Sequence, residues 1–359
     1  MSPTPRQWQD WHWQLANSPR SLEELATALR WSPEQTAPLA ASARRYRPIV
    51  TPFYLSLARS TAPNDPILKQ CLPSPAELTD AEASLDPLFE GGQSVLPRMV
   101  HRYRDRVLFF ATGACALHCR HCMRKRFWDG PCLPPPTDEE LDSAVTYLHA
   151  HPEVREILVS GGDPLVLEDQ ALQRILAALC SVPTIEMLRI GTRCLAALPQ
   201  RVTPALCAML ENCGKTVWVA AHFNHPDELS QEAGQAVLAL MKSGVPTVNQ
   251  TVLLKGVNDA PETLRRLFTG LLKMRVKPYY LYHGDPVRGT TCFRTGVKAG
   301  LDILAEFRSQ VSGMAVPAYS FDLPEGGGKI RLEPDFQIGQ EADGTPIYQK
   351  IDGHPVAYR

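Results

Sequence analysis

Val107-Leu-Phe-Phe-Ala-Thr-Gly-Ala-Cys115-Ala-Leu-His-Cys119-Arg-His-Cys122 is an apolar run of strand length that passes directly into a loop carrying three cysteines. The run at 107–111 is the first of six such segments, the others lying at 156–160, 185–191, 216–221, 247–253 and 278–282. Amphipathic stretches of helical length near 138–150, 168–181, 203–213, 229–243 and 261–274 separate them, and one near 297–312 follows the last. Strand–helix alternation predicts an α/β fold with a parallel sheet and right-handed crossovers. Six βα units are two short of a closed eightfold barrel. A partial barrel of six units and a doubly wound open sheet both satisfy the pattern, and both place a site at the C-terminal ends of the strands.

The flanks read differently. Residues 1–100 predict a mostly helical region: Trp8, Trp11 and Leu15 share a helical face, Ser21 and Glu24 have capping-box spacing, and Ser32-Pro33 marks another helix start. Residues 61–75, rich in Pro, Asn and Asp, predict a connecting arm. Residues 101–316 form the expected core, and 317–359 a C-terminal segment with a glycine run and short β-like pieces. The formal net charge of −1 provides no electrostatic footprint for nucleic acid. The basic residues between Arg120 and Arg126 suggest small-anion binding beside the cysteines. The absence of an apolar leader or a long apolar span leads to the expectation of a cytoplasmic protein without a membrane segment. In that reducing setting, clustered cysteines bind metal or do chemistry more often than they form disulfides.

Cys115, Cys119 and Cys122 sit in the first βα loop, at the mouth of the predicted sheet. Three thiolates ligate three irons of a [4Fe–4S] cubane, where a simple electron carrier uses four. The fourth iron is then free to chelate S-adenosylmethionine, and an electron passed to the sulfonium releases a 5′-deoxyadenosyl radical. His118 and His121 within the motif leave a mixed Cys/His zinc site as an alternative, and three plain buried cysteines as another. Ser160-Gly161-Gly162-Asp163 ends the second predicted strand. Its glycines allow close backbone approach to a ligand, and Asp163 is suited to accept from the ammonium of S-adenosylmethionine; a plain strand-to-helix turn is the alternative.

Gly326-Gly-Gly-Lys329 is not a Walker loop, since Leu323 and Ile330 occupy the positions where that motif needs Gly and Ser/Thr. A flexible run that delivers one lysine suits a Schiff base with pyridoxal phosphate, against the alternative of an exposed surface lysine.

The chain resembles the lysine 2,3-aminomutase family of radical S-adenosylmethionine, pyridoxal-phosphate enzymes. The resemblance runs through Trp8-Gln-Asp-Trp-His-Trp, His101-Arg-Tyr-Arg-Asp-Arg-Val, the cysteine triplet with Arg124-Lys-Arg-Phe, Ser160-Gly-Gly-Asp, His222-Phe-Asn-His-Pro, Asn249-Gln, Pro278-Tyr-Tyr, Phe293-Arg-Thr and Gly326-Gly-Gly-Lys. It implies a partial (β/α)6 barrel of the radical S-adenosylmethionine type with N-terminal helical and C-terminal extensions. By the same resemblance, Lys329 would hold pyridoxal phosphate, with Arg102, Tyr103 and Arg106 around that cofactor. Ser160, Gly161, Gly162, Asp163, His222 and Gln250 would line the S-adenosylmethionine site. Arg124 would clamp the substrate α-carboxylate, and Asp285 with Asp322 would receive its ε-ammonium. Two carboxylates facing one buried ammonium compensate its desolvation and repel an acidic side chain. The implied activity is conversion of lysine to β-lysine, with a flavodoxin or ferredoxin as electron donor. Arginine or ornithine as substrate, service to the modification of elongation factor P, and a non-enzymatic zinc-stabilised binding protein are the alternatives. Cys292 stands where the family usually has His. The cysteines that hold an inter-subunit zinc in some members are absent, which weakens the family's implication of a homo-oligomer.

Overall fold

The computed structural model describes every residue except 1–2, 81–82, 129, 351–352 and 359. Its main sheet has ten strands in strictly sequential order: β1 (Ser94–Leu96), β2 (Met99–Tyr103), β3 (Arg106–Thr112), β4 (Glu156–Gly161), β5 (Met187–Thr192), β6 (Thr216–Ala221), β7 (Thr247–Leu253), β8 (Lys277–His283), β9 (Ala318–Leu323) and β10 (Gly328–Leu332). Strands β3 to β9 run parallel, whereas β1, β2 and β10 are antiparallel edges. A doubly wound sheet would reverse its strand order at a switch point. The unbroken order selects the partial barrel. A seventh parallel strand, β9, follows the six predicted βα units, inside the stretch assigned from sequence to the C-terminal segment.

The sheet does not close by backbone pairing, but it curls until its edges meet. Tyr103 Oη on β2 accepts from the backbone N–H of Lys329 on β10 at 2.9 Å. Arg102 Nη1 on β2 lies 3.7 Å from Asp322 on β9. In the sheet order β2 is separated from β9 by six strands and from β10 by seven, so these contacts span the mouth of a curled sheet.

Alternation along the strands sorts the two faces. Ile157, Val159, Leu188, Ile190, Val219, Leu281 and Tyr319 point outward and are fully buried against crossover-helix residues such as Leu172, Ile175, Leu206 and Leu267. Their neighbours Leu158, Ser160, Arg189, Trp218, Tyr280 and Tyr282 face inward and are only half-buried. The barrel interior is therefore an open, polar-lined space.

The crossover helices start on side-chain caps: Thr137 caps Asp138–Ala150, Thr203 caps Pro204–Glu211 and Ser230 caps Gln231–Lys242. The last one stops at Phe307, short of its expected end. In the N-terminal region Ser21 caps Leu22–Leu29 as expected. The Trp8–Trp11–Leu15 face is split between two helices, because Asp10 accepts from His12 N and restarts the chain at Trp11. Residues 61–64 of the expected arm at 61–75 are exposed, but 65–73 are largely core. Asp65 caps Pro66–Lys69, and Ile67, Leu68 and Cys71 are fully buried in a cluster that reaches Leu117 and Cys119 of the cysteine loop. No helix among the described residues is long and apolar enough to cross a membrane.

Candidate active site

The cysteine loop follows β3 and is pinned from below by the N-terminal helices. His118 N donates to Ile49 O at 2.9 Å, and Arg120 N donates to Gln70 O at 2.8 Å. Arg120 and Lys125 are buried and share Glu77: Arg120 Nε and Nη2 reach its two oxygens at 3.0 and 2.5 Å, and Lys125 Nζ reaches Oε2 at 2.8 Å. Burial, opposed by Glu77, draws Lys125 down to about 8. Arg124 and Arg126 converge on a second buried carboxylate, Glu90. The basic cluster read from sequence as an anion site is thus already matched by protein carboxylates.

Cys115, Cys119 and Cys122 are all free thiols. Burial raises each, Cys119 to about 11, and on Cys115 the charge of Asp163 and then the sulfurs of Cys122 and Cys119 add to it. No three His, Cys, Asp or Glu side chains among the described residues converge on a single-ion site. A cubane spreads its thiolates over three separate irons and needs only a triangle of neighbouring sulfurs. His121 Nδ1, inside the loop, is buried without a hydrogen-bond partner, so the mouth has a polar atom waiting for a ligand. These residues fit the cluster.

Gly161 and Gly162 press directly against the loop. A Cβ on Gly162 would lie 2.2 Å from Ala114 O, and one on Gly161 (φ +118°) 2.4 Å from Thr112 O. Glycine is required there for backbone-to-backbone contact. Asp163 differs from its expected role. Its carboxylate accepts from Leu165 N, Thr192 Oγ1, Arg193 N and Cys194 N, and it is 3% exposed. With its acceptor sites taken by four donors, it ties the β4 loop to the β5 loop and is not free for a ligand ammonium.

His222 and Gln250 end β6 and line β7 on the same rim. Burial first, then the charges of Arg193 and Arg124, hold His222 down at about 4, so it is neutral near pH 7. Asn249 is structural: its side chain accepts from Phe223 N and donates to Phe223 O, fixing the His222 loop. Sequence reasoning missed the buried group beneath, in which Arg193 Nη2 donates to Glu228 (2.5 Å), Gln70 (2.9 Å) and Tyr54 (3.0 Å). Asn224 joins it to the cysteine loop through Gln70 (3.0 Å) and His121 (3.3 Å). Polar residues at these positions carry no local sequence signature.

Lys329 lies across the β9–β10 hairpin, directly opposite Asp322. Its Nζ donates to Asp322 Oδ2 at 2.5 Å and lies 4.1 Å over the Tyr282 ring. The turn that presents it needs glycine at Gly326, where φ is +75° and a Cβ would sit 2.3 Å from Gln93 Nε2. Arg102 is held by Gln93 Oε1 at 2.6 Å and by the Leu88 carbonyl. Arg106 stacks 3.9 Å over the Tyr103 ring and pairs with Asp105. A lysine at the rim, flanked by a tyrosine and two guanidiniums, fits pyridoxal phosphate.

Asp285 follows β8 and faces the same space. Burial and then the charge of Asp322 push it up to about 6, against the pull of Lys329 and Arg102.

The chain matches the radical SAM superfamily over residues 110–268 and the lysine-2,3-aminomutase family over residues 304–358. It is 42% identical over 352 residues to the L-lysine 2,3-aminomutase of Clostridium subterminale, covering 98% of this chain and 84% of that one. It is 41% identical to the L-lysine 2,3-aminomutase of Fusobacterium nucleatum, covering 94% and 79%. It is also 36% identical to the glutamate 2,3-aminomutase of Clostridioides difficile, covering 95% and 80%. Identity at this level over nearly the whole chain, with cysteine loop and lysine hairpin meeting at one mouth, places the protein in the lysine 2,3-aminomutase family of radical SAM enzymes.

Proposed function

We propose that the protein is an L-lysine 2,3-aminomutase, moving the α-amino group of L-lysine to C3 to give β-lysine. The observation that carries the choice of lysine is the pair Asp285 and Asp322. Asp285 is half-buried, is raised to about 6 by burial and by its neighbour, and its carboxylate has no hydrogen-bond partner among the described residues. Two carboxylates so placed have a strong use for one more cation. A glutamate side chain in the same place would add a third negative charge, which counts against the activity of the glutamate relative.

The [4Fe–4S] cluster with S-adenosylmethionine would supply the 5′-deoxyadenosyl radical, and pyridoxal phosphate would delocalise the unpaired spin while nitrogen migrates. Cys115, Cys119 and Cys122 would hold the cluster, and Lys329 the pyridoxal, with Arg102, Tyr103 and Arg106 on its phosphate. Ser160, Gly161, Gly162, His222 and Gln250 would line the S-adenosylmethionine pocket. A neutral His222 suits that place, since an imidazolium would repel a sulfonium. Arg124 would take the α-carboxylate and the aspartate pair the ε-ammonium, fixing the substrate at both ends as radical chemistry demands. Lys329 Nζ neutralises Asp322 in this structure. With pyridoxal phosphate held on Lys329, that ammonium would no longer neutralise Asp322, and the pair would be open to a substrate cation. The cluster requires a one-electron donor of flavodoxin or ferredoxin type, and we infer a reducing, cytoplasmic setting.

The test is product analysis after anaerobic incubation of the reduced, reconstituted enzyme with lysine, arginine, ornithine and glutamate separately. β-Lysine from lysine alone is the expected result. Turnover of glutamate, or of arginine or ornithine in preference to lysine, overturns the assignment.

A further inference from the structure

Arg124 is anchored along one edge only. Its Nε lies 3.1 and 3.2 Å from the two oxygens of Glu90, and its Nη2 lies 2.7 Å from Oε1. The remaining nitrogen, Nη1, has only long contacts, 3.3 Å to Ser160 Oγ and 3.4 Å to Gly161 O. The guanidinium thus shows a fixed edge to Glu90 and a loosely held nitrogen to the β4 rim.

Glu90 is itself immobilised. It is 3% exposed, its N–H donates to Asp86 Oδ1 at 3.1 Å, and its carbonyl accepts from Ser94 Oγ at 3.1 Å. Its second carboxylate oxygen accepts from Arg126 Nη2 at 2.5 Å, and Arg126 Nη1 pairs with Asp86 at 3.2 Å. Burial pulls Glu90 upward, but the two guanidiniums outweigh it and hold it at about 2. Without Arg124 the buried carboxylate would keep Arg126 alone, and lose the three contacts that Arg124 makes with it. Glu90 is therefore a permanent partner and not a stand-in that an incoming carboxylate displaces.

The same short segment reaches the other end of the site. Gln93 donates to Gly326 O at 3.2 Å and accepts from Arg102 Nε at 2.6 Å, and the Leu88 carbonyl accepts from Arg102 Nη2. Residues 86–94 thus tie Arg124, Arg102 and the turn before Lys329 into one frame.

We propose that Glu90 is a positioning residue for the substrate carboxylate: it fixes the Nε–Nη2 edge of Arg124 so that Nη1 is presented to the α-carboxylate of an amino acid. This rests on the lysine reading above. It adds that recognition of the carboxylate depends on a side chain that never touches it.

The test uses reconstituted holoenzyme without reductant, so that binding is read without turnover. The ligands are L-lysine and 1,5-diaminopentane, which is lysine without its carboxylate. Glu90→Gln is expected to weaken lysine binding by about tenfold while changing diaminopentane binding less than about threefold. In turnover, KM for lysine rises by about the same factor and kcat falls less than about threefold. Glu90→Asp, which keeps the charge, recovers part of the loss, and gives the same comparison if Glu90→Gln is insoluble. Equal weakening of both ligands, unchanged lysine binding, or tighter lysine binding each overturn the proposal. A wild-type enzyme that binds no lysine overturns the lysine assignment instead.

Discussion

Asp285→Asn is expected to make the protein more stable and unable to use lysine. Asp285 is raised from the ordinary aspartate value of 3.8 to about 6, first by burial and then by Asp322. A shift of about two pKa units corresponds to roughly 3 kcal/mol, an upper limit once the site relaxes. The sign follows from linkage. The folded protein holds the Asp285 proton more tightly than the unfolded chain, so ionising it costs stability. That cost is absent below about pH 4, grows as pH rises toward about 6, and is complete above it. Asparagine carries no such cost, so the variant should gain about 1–3 kcal/mol near neutral pH, and the gain should vanish as pH falls toward about 4. Urea unfolding of the cofactor-free protein, wild type against variant at both pH values, measures this. Added lysine should stabilise the wild-type holoenzyme and leave the variant holoenzyme unchanged. A variant that is less stable near neutral pH, or whose gain persists undiminished in acid, refutes the argument that Asp285 is an uncompensated carboxylate awaiting a cation.

Other outcomes follow from the same geometry. Lys329→Ala should abolish the pyridoxyl adduct trapped by borohydride, and an undiminished adduct would put the cofactor on another lysine. Glu77→Gln removes the carboxylate shared by buried Arg120 and Lys125. Stranding two such cations should cost about 3–5 kcal/mol. Because both flank the cysteine loop, iron content after reconstitution should fall along with the urea midpoint, and an unchanged midpoint would show that the pair is dispensable.

What the sequence revealed and what it hid divide by range. The βα rhythm was readable because outward positions such as Ile157, Val159, Leu188 and Ile190 keep an apolar residue at every second place. The cap at Ser21 is local, made to Glu24 three residues on. Strand β9 was missed because its polar positions, Ser320 and Asp322, interrupt the apolar run that marked the other six. The seven-residue interval between Asp322 and Lys329 became meaningful only once the hairpin set them face to face. The carboxylates that neutralise the basic cluster, Glu77 and Glu90, lie 43 and 34 residues from Arg120 and Arg124. No periodicity connects such positions. Asp163 shows the converse: its motif was visible, but its four donors come from segments that only the fold brings together.

Parallel sheets in α/β proteins are ordinarily buried on both faces and read as continuous apolar strands. This sheet breaks that habit on its inner face, and the manner of breaking it separates scaffold from function. Near the N-terminal ends of the strands, Glu156 on β4 and Arg189 on β5 pair with each other and close the floor of the barrel. Toward the mouth the charges become progressively less self-sufficient. Arg124 retains one loosely held nitrogen, Asp322 depends on Lys329, and the Asp285 carboxylate has no hydrogen-bond partner among the described residues. The stability of the fold must then come from the outer face, where the strand side chains are buried against helices. The inner face contributes unmet charge and open space that only ligands can complete. A fold arranged in this way should bind its substrate partly because it relieves the protein, and the unpaired aspartate at the rim is where that relief is largest.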